Sequence, residues 1–291
     1  MIEDQGEIGS RSTRLATASR TIWLGALLIA ATALSPAFAE DGGGDRAAGD
    51  DCARAGDETG AVAEIVDGDT LVLADGRIVR LAGVEAPKTY LVRPGAGVEA
   101  VAAAARRALE RLAGGKQVAI RPAEPARDRH GRIRAELTLE DGTWLQQAMV
   151  DLGFVRVRPF TGEDSCLDVL RAGEREAREA RRGLWREAEF SVVSAYDPSL
   201  VERKGLYVIV EGRVISVGHG DRVDFLNFGH VWRRDFTVLV GARAARRLAE
   251  SGRSTDTMIG KRVRVRGIIE ERGGPAIRLS VPGEIEVLGE E

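Results

Sequence analysis

The chain has 291 residues, of which 44% are hydrophobic and 30% are charged. These fractions are typical of a globular protein, and the length is enough for about two modest domains. The formal net charge is −3, which excludes a strongly basic protein that attracts nucleic acid through its overall field. Any phosphate binding therefore depends on a local basic patch.

The first 39 residues have the pattern of an export signal. Arginines precede an apolar run at 22–34, and Ala37 and Ala39 form a small-residue cleavage site before acidic residues. The run is too short to span a bilayer as a helix. We therefore expect a signal peptide at 1–39 and an exported mature protein, periplasmic or extracellular, without a membrane span. Acidic residues near the start leave open the retention of this segment as an anchor.

Cysteine occurs at only two positions, Cys52 and Cys166. In an exported chain an even pair of cysteines predicts one disulfide. The bond would close a loop of more than about a hundred residues and stabilise the fold by roughly 4–5 kcal/mol in the chain-entropy treatment. The alternative is two unpaired thiols.

The stretch 66–88 predicts a β-hairpin. Two apolar runs flank Asp75 and Gly76, and an Asp-Gly link between such runs is a strong hairpin signal. Because a hairpin brings its ends together, Asp69 near its start and Glu85 beyond its return strand should lie close to each other.

The charged side chains of this hairpin indicate a metal or phosphate site. Two neighbouring carboxylates repel and need a cation, a proton or a basic partner, and carboxylates together with a backbone carbonyl suit Ca²⁺. Arg80, inside the return strand, is suited to binding phosphate through two parallel N–H groups. The alternatives are a surface hairpin with scattered charges, and a salt bridge from Arg80 to Glu85 or Asp69.

The elements that follow complete a first folding unit. Apolar residues at helical spacing predict a helix at 98–112 that ends at a Gly-Gly pair. The remaining predicted elements are a strand at 117–121, a charged loop at 122–131, a strand at 133–139, a short helix at 145–152 and a helix at 165–182. Three strands, a helix and two strands is the order of the five-stranded Greek-key barrel called the OB-fold.

The remainder of the chain predicts a second, smaller OB-like barrel. Its predicted elements are strands at 206–217, 221–228 and 236–240, a helix at 242–250, and strands at 262–270, 276–279 and 285–288. Because three strands and a helix again precede further strands, we expect a mainly β protein with helices, in which an OB-fold barrel precedes the smaller barrel.

Composition divides the chain into five segments. Residues 40–58 are rich in Gly, Asp and Ala, a composition typical of a flexible tether. The predicted layout is a signal peptide at 1–39, a flexible linker at 40–58, the first barrel at 59–187, a linker at 188–204 and the second barrel at 205–291. The oligomeric state is not predicted by these patterns.

Six motifs occur in order along the first unit. They are Val66-Asp67-Gly68-Asp69-Thr70, Arg80-Leu81, Val84-Glu85-Ala86-Pro87-Lys88-Thr89, Asp128-Arg129-His130-Gly131-Arg132, Asp141-Gly142 with Ala148-Met149-Val150 and Leu152-Gly153, and Gly183-Leu184-Trp185. Together they resemble the staphylococcal nuclease-like (thermonuclease-like) family over about residues 60–186. The resemblance implies an OB barrel that hydrolyses phosphodiesters of DNA or RNA with Ca²⁺.

The resemblance also implies roles for individual residues. The implied calcium ligands are the carboxylates of Asp69 and Glu85 and the carbonyl of Ala86, with the Asp67 carboxylate behind them. The implied phosphate-binding and catalytic arginines are Arg80 and Arg132, with His130 where the family often has a nucleotide-packing Tyr. Chemically, a cation and two guanidiniums stabilise the charge of a phosphorane-like transition state.

One position departs from the family pattern. The family has its catalytic Glu directly after the Pro, where this chain has Lys88. A charged ammonium cannot accept a proton, and loss of a general base costs about 10²–10⁴ in rate. Lys88 can also reach the Asp69 and Glu85 carboxylates and take the cation's place, and Glu85 replaces a shorter Asp. Two interpretations follow: a calcium-dependent nuclease of low rate, and a catalytically inactive nucleic-acid- or protein-binding module of the cell envelope.

The C-terminal unit resembles the OB-like extension that follows some bacterial nuclease barrels of this kind. The matching segments are Val210-Glu211-Gly212-Arg213-Val214, Phe225-Leu226-Asn227-Phe228-Gly229 and Trp232-Arg233-Arg234-Asp235-Phe236-Thr237. Its aromatic residues and two arginines suit a surface on which single-stranded nucleic acid stacks. The alternative is that the aromatic residues form the core and the arginines pair with nearby acids.

Overall fold

A computed structural model describes Cys52, residues 56–88, Tyr90, and residues 97–160 and 166–289. The predicted signal peptide and most of the linker predicted at 40–58 lie outside the described residues. All described residues belong to one compact region, Gly42–Glu291. This region contains both the first unit and the C-terminal unit. None of the helices described in it is long and apolar enough to cross a membrane.

The first seven strands build a closed barrel with a short ribbon beside it. They are β1 (Glu58–Asp67), β2 (Thr70–Leu73), β3 (Ile78–Leu81), β4 (Val84–Glu85), β5 (Gln117–Arg127), β6 (Ile133–Leu139) and β7 (Arg156–Val157). The barrel closes in the order β1-β2-β3-β6-β5, and β4 pairs with β7 in the ribbon. The five-stranded barrel confirms the predicted OB-fold, and its β2–β3 connection is the predicted hairpin, with Gly76 at a φ of 84°.

Three helices cover this barrel. They are α1 (Val98–Ala113), α2 (Leu145–Asp151) and α3 (Leu167–Glu179). Their apolar faces supply Leu109, Met149 and Leu170 to the core that the barrel strands fill from inside. A disulfide joins the two predicted partners, Cys52 and Cys166, whose Cα atoms are 5.5 Å apart. It fastens the segment before β1 to the start of α3.

Two elements of the first unit end elsewhere than predicted. The predicted charged loop at 122–131 is wrong in its first half, because β5 continues to Arg127. Pro122 pairs with Ala135, and an irregularity separates this pair from the next, Arg127 with Ile133; prolines are tolerated where a ladder is irregular. The third helix ends before the predicted 182, and Arg181 just beyond it has a left-handed φ of 48°.

The C-terminal unit is a single curved sheet with one helix. Its elements are β8 (Val193–Ser194), β9 (Tyr207–Arg213), β10 (Ser216–His219), β11 (Val223–Asn227), β12 (Thr237–Gly241), α4 (Ala242–Glu250), β13 (Arg262–Arg272), β14 (Gly274–Leu279) and β15 (Ile285–Val287). The sheet order is β10-β11-β12-β14-β13-β9-β8, with β15 also on β13. The eight described strands form a sheet whose two ends do not pair. The predicted smaller barrel is therefore a half-barrel.

The stretch 188–204, predicted as a linker, has structure of its own. It contains the 3-10 helices Ala188–Phe190 and Pro198–Arg203, and its Phe190 and Leu200 are buried. Phe190 packs in one apolar cluster with residues of α1 and β9. The first unit and the C-terminal unit therefore share buried surface.

Candidate functional site

The tight turn between β1 and β2 places Asp69 in the protein interior. Asp69 is fully buried. Its Oδ2 accepts the backbone N–H of Ala86 at 2.7 Å, and its Oδ1 accepts the hydroxyl of Thr70 at 2.8 Å. Gly68 is required in this turn, because a Cβ there would lie only 2.6 Å from the Cβ of Ala105. The carboxylate is thus held in place by Thr70 at the start of β2 and by Ala86 after β4.

The ammonium of Lys88 lies between two carboxylates. Its Nζ donates to Oδ2 of Asp67 at 2.5 Å and to Oδ1 of Asp69 at 3.0 Å, and only 9% of the Lys88 side chain is exposed. Lys88 thus reaches Asp69 as anticipated, but its second partner is Asp67 instead of Glu85. Burial opposes the charge on Asp69 and Lys88, yet their mutual attraction lowers the pKa of Asp69 and raises that of Lys88. The pair therefore stays ionised, with the ammonium fixed in place.

Glu85 on β4 is held by two guanidiniums. Its side chain is 1% exposed, its Oε1 lies 3.2 Å from Nη2 of Arg80, and its Oε2 accepts from Nη1 of Arg158. The Nε of Arg80 also lies 3.7 Å from Oδ1 of Asp69. The salt-bridge alternative for Arg80 therefore describes its contacts with both carboxylates.

The donor set that the resemblance assigns to calcium does not fit a calcium ion in this arrangement. Ca²⁺ needs six to eight oxygen ligands. Both oxygens of Asp69 accept hydrogen bonds, and both oxygens of Glu85 contact guanidiniums. A positive ammonium stands 3.0 Å from Asp69, on the oxygen that a cation would approach. The residues present satisfy the carboxylates with fixed cations of the protein itself.

The tip of the β5–β6 hairpin carries a group of basic residues beside this site. They are Arg127, Arg129, His130, Arg132 and Arg134. Arg132 donates from Nε to Oδ2 of Asp128 at 2.6 Å, and the exposed His130 accepts from Arg129 at 3.0 Å. Arg134 lies in register with Arg80 across the parallel pair β3–β6. The predicted arginine Arg132 therefore lies on this basic tip and is paired with its own acidic partner, Asp128.

One residue of the site was missed from the sequence. Arg158 follows β7 and contacts Glu85, 73 residues earlier in the chain. The run Val155-Arg156-Val157-Arg158 indicates only an extended segment. No local pattern predicts which barrel carboxylate such an arginine meets, because the contact depends on the pairing of β4 with β7.

The aromatic residues of the C-terminal unit divide into two groups. Phe228 and Phe236 are buried, with ring centroids 5.1 Å apart, so the core interpretation holds for them. Phe225 is 38% exposed and Trp232 is 59% exposed. The guanidinium of Arg233 lies 5.1 Å from the Trp232 ring centroid, so the predicted stacking surface is reduced to these exposed rings.

Comparison with known proteins identifies the barrel. The family model described as staphylococcal nuclease homologue matches residues 78–187. An Escherichia coli protein named uncharacterized endonuclease is 31% identical over 133 residues, which is 45% of this chain and 78% of that protein. A protein of the same name from Escherichia coli O157:H7 is 30% identical over 133 residues, again 45% of this chain and 78% of that protein. The barrel, the order of its motifs and these relatives show that the chain belongs to the staphylococcal nuclease homologue family.

Proposed function

We propose that this protein binds the phosphodiester backbone of nucleic acid through its nuclease-like barrel and has lost calcium-dependent hydrolysis. The observation that carries this proposal is the ammonium of Lys88, 3.0 Å from Asp69 and 2.5 Å from Asp67. It places a positive charge where the family's mechanism needs a general base and a divalent cation. A charged ammonium accepts no proton, so the water that attacks phosphorus has no base at this position.

Retained binding is supported by the guanidiniums around the site. Arg80 is 18% exposed and lies in register with Arg134, and the basic tip extends beyond them. Guanidiniums bind phosphate oxygens with paired N–H donors. Contacts to phosphates supply affinity without sequence preference, so the expected ligand is DNA or RNA of any sequence.

We further propose that the protein acts after export. The pattern of residues 1–39 supports secretion, and the disulfide between Cys52 and Cys166 suits an oxidising compartment. The proposed site of action is the periplasm or the outside of the cell, with nucleic acid in that compartment as the ligand.

A second candidate function is calcium-dependent cleavage at a low rate. The observation in its favour is the name endonuclease carried by the relatives from Escherichia coli. In this alternative Lys88 swings away from Asp69 and a calcium ion replaces its charge.

The experiment that separates the two candidates uses the full-length protein with single-stranded DNA and RNA, in Ca²⁺ and in chelator. Binding is measured by fluorescence anisotropy and cleavage by gel. The variants are Lys88→Glu, Asp69→Ala and the exposed Lys116→Glu, a matched charge change outside the site. We expect equal binding with and without Ca²⁺, no chelator-sensitive cleavage, and calcium binding by calorimetry only in Lys88→Glu.

Two outcomes contradict the proposal. Rapid, chelator-sensitive cleavage by the unmodified protein that disappears in Asp69→Ala refutes the loss of hydrolysis. Failure of the unmodified protein to bind either nucleic acid at low salt refutes the binding function. Lys116→Glu should behave as the unmodified protein does in every assay.

A further inference from the structure

Strand β7 lies between the candidate site and the C-terminal unit. On one side it pairs with β4, with Val84 opposite Val157 and Glu85 opposite Arg156. The next residue, Arg158, donates its backbone N–H to the carbonyl of Gly83 at 2.8 Å. The position of Arg158 against Glu85 is therefore set by this strand.

The C-terminal unit holds the same strand from the other side. The hydroxyl of Tyr207 on β9 donates to the carbonyl of Val157 at 3.2 Å, and Arg266 on β13 donates to the same carbonyl at 2.9 Å. Arg156 in turn donates to the carbonyl of Tyr207 at 2.9 Å. All four residues are buried. Such a set of buried polar contacts leaves the strand little freedom to shift.

The ring of Tyr207 also supports the guanidinium that enters the site. The Cζ atom of Arg158 lies 5.2 Å from the ring centroid of Tyr207, within the range of a cation–π contact. The same guanidinium donates to Glu85, and a third of the Arg158 side chain remains exposed. Arg158 is thus held by a ring of the C-terminal unit and a carboxylate of the barrel, with an open side toward solvent.

Arg80 and Arg158 together have the form of a phosphate clamp. Both contact Glu85, and both are partly exposed, so each guanidinium has a side that faces solvent. Arg134 beside Arg80 adds a further cation to this half of the site. A planar guanidinium has five N–H donors, so contact with one carboxylate leaves donors for the oxygens of a phosphodiester.

We infer that Arg158 is a phosphate-binding residue of this protein and that Tyr207 is its positioning residue. The inference rests on the proposed nucleic-acid binding and deepens it. The C-terminal unit then contributes to the binding site of the barrel indirectly, through the contact of Tyr207 with Arg158. The second phosphate-binding guanidinium, beside that of Arg80, is then Arg158 after β7. Arg132 on the basic tip is paired with Asp128.

The test measures binding of a single-stranded oligonucleotide to the full-length protein in chelator across a range of salt concentrations. The variants are Arg158→Gln, Arg158→Lys and Tyr207→Leu. Arg246→Gln on α4, an exposed arginine of the C-terminal unit, is the matched control. Circular dichroism and thermal melting establish that each variant is folded.

We expect Arg158→Gln to weaken binding about tenfold and to lower the slope of log affinity against log salt by about one, as expected for one lost phosphate contact. Arg158→Lys should restore the slope and part of the affinity, which a purely structural role would not produce. Tyr207→Leu should weaken binding in the same direction, and Arg246→Gln should leave it unchanged.

The outcomes distinguish this inference from the proposed function. If the unmodified protein binds and Arg158→Gln keeps its affinity and salt slope, the inference is wrong and the proposed function stands. If the unmodified protein does not bind, both are wrong. If Tyr207→Leu does not fold, Arg158→Gln and Arg158→Lys still decide whether Arg158 binds phosphate, and Tyr207→Phe, which keeps the ring, should retain the salt slope.

Discussion

Replacing Arg266 by Met should destabilise the whole protein, because this arginine is a buried cation that joins the two units. Arg266 is 1% exposed. Its Nη1 donates to Oε2 of Glu174 and to the carbonyl of Val157, both at 2.9 Å, and its Nη2 donates to Oε1 of Glu286 at 3.0 Å. Arg266→Met keeps most of the aliphatic volume and removes only the charge and these donors.

The expected cost follows from what remains around the two carboxylates. Glu174 is 1% exposed and keeps one hydrogen bond, from the N–H of Val157 at 2.7 Å. Glu286 is 15% exposed and keeps Arg264 at 3.3 Å and Arg171 at 3.8 Å. Breaking a buried ion pair by removing one partner costs about 3–5 kcal/mol. Because Glu286 keeps two cations, we expect about 3 kcal/mol, nearly all of it from Glu174.

The assay is urea unfolding at equilibrium, followed by tryptophan fluorescence and by circular dichroism. Since the free energy applies to a two-state transition, the two probes must give coincident curves. Arg266→Met with Glu174→Gln should recover at least about 1 kcal/mol, because the neutral amide no longer needs a cation. Arg272→Met, whose side chain is 64% exposed on the same strand, should cost less than about 1 kcal/mol.

Three results would refute this reasoning. A loss below about 1 kcal/mol in Arg266→Met would mean that water or a shifted side chain replaces the cation at Glu174. A double variant as unstable as the sum of its single variants would mean that Arg266 and Glu174 are not coupled. Separate transitions for the two units would show that they fold independently, as the predicted two-domain layout implies.

Three further predictions concern the site and the edges of the fold. Lys88→Met should lower the melting temperature in chelator, because Asp67 and Asp69 then lose their nearest cation; added Ca²⁺ should raise it again in a thermal-shift assay, and an equal rise in the unmodified protein would contradict this. Cys166→Ser should destabilise the protein by about 4–5 kcal/mol in urea unfolding, because the disulfide closes a loop spanning 114 residues, and a loss below about 1 kcal/mol would contradict it. Hydrogen bonds to Asp224 and Asp256 raise the pKa of His219, so NMR titration should find it above about 6.5; its stabilising contribution is present at low pH and is lost as pH rises through that pKa.

Local signals predicted the elements whose cause is local. Helix α4 and strand β6 have the predicted bounds, because an apolar periodicity and its flanking turn residues decide both ends. The hairpin around Asp75 was predicted for the same reason. By contrast β5 continues past Pro122, a residue that ordinarily ends a strand in a sequence-based prediction. Its continuation depends on β6, which supplies partners on both sides of the irregular stretch.

The sequence predicted the part of the site that the hairpin and its ends form. Asp69, Glu85 and Arg80 lie within 17 residues of one another and meet because the hairpin folds back. The contact of Lys88 with Asp69 was anticipated for the same reason. Its contact with Asp67 and the contact of Arg158 with Glu85 require the exact course of the chain after β4 and the docking of β7. Those depend on tertiary packing that no single segment encodes.

The charges at the site explain why a lysine is tolerated beside buried carboxylates. The family pattern has a Glu where this chain has Lys88, and the exchange of −1 for +1 adds two positive charges. Two positive charges are also what one calcium ion brings. Asp67, Asp69 and Glu85 then carry −3, and Lys88, Arg80 and Arg158 carry +3 through contacts within 4 Å. A buried cluster of unbalanced charge would cost several kcal/mol, so the balance of charge in this cluster stabilises Lys88 at its position.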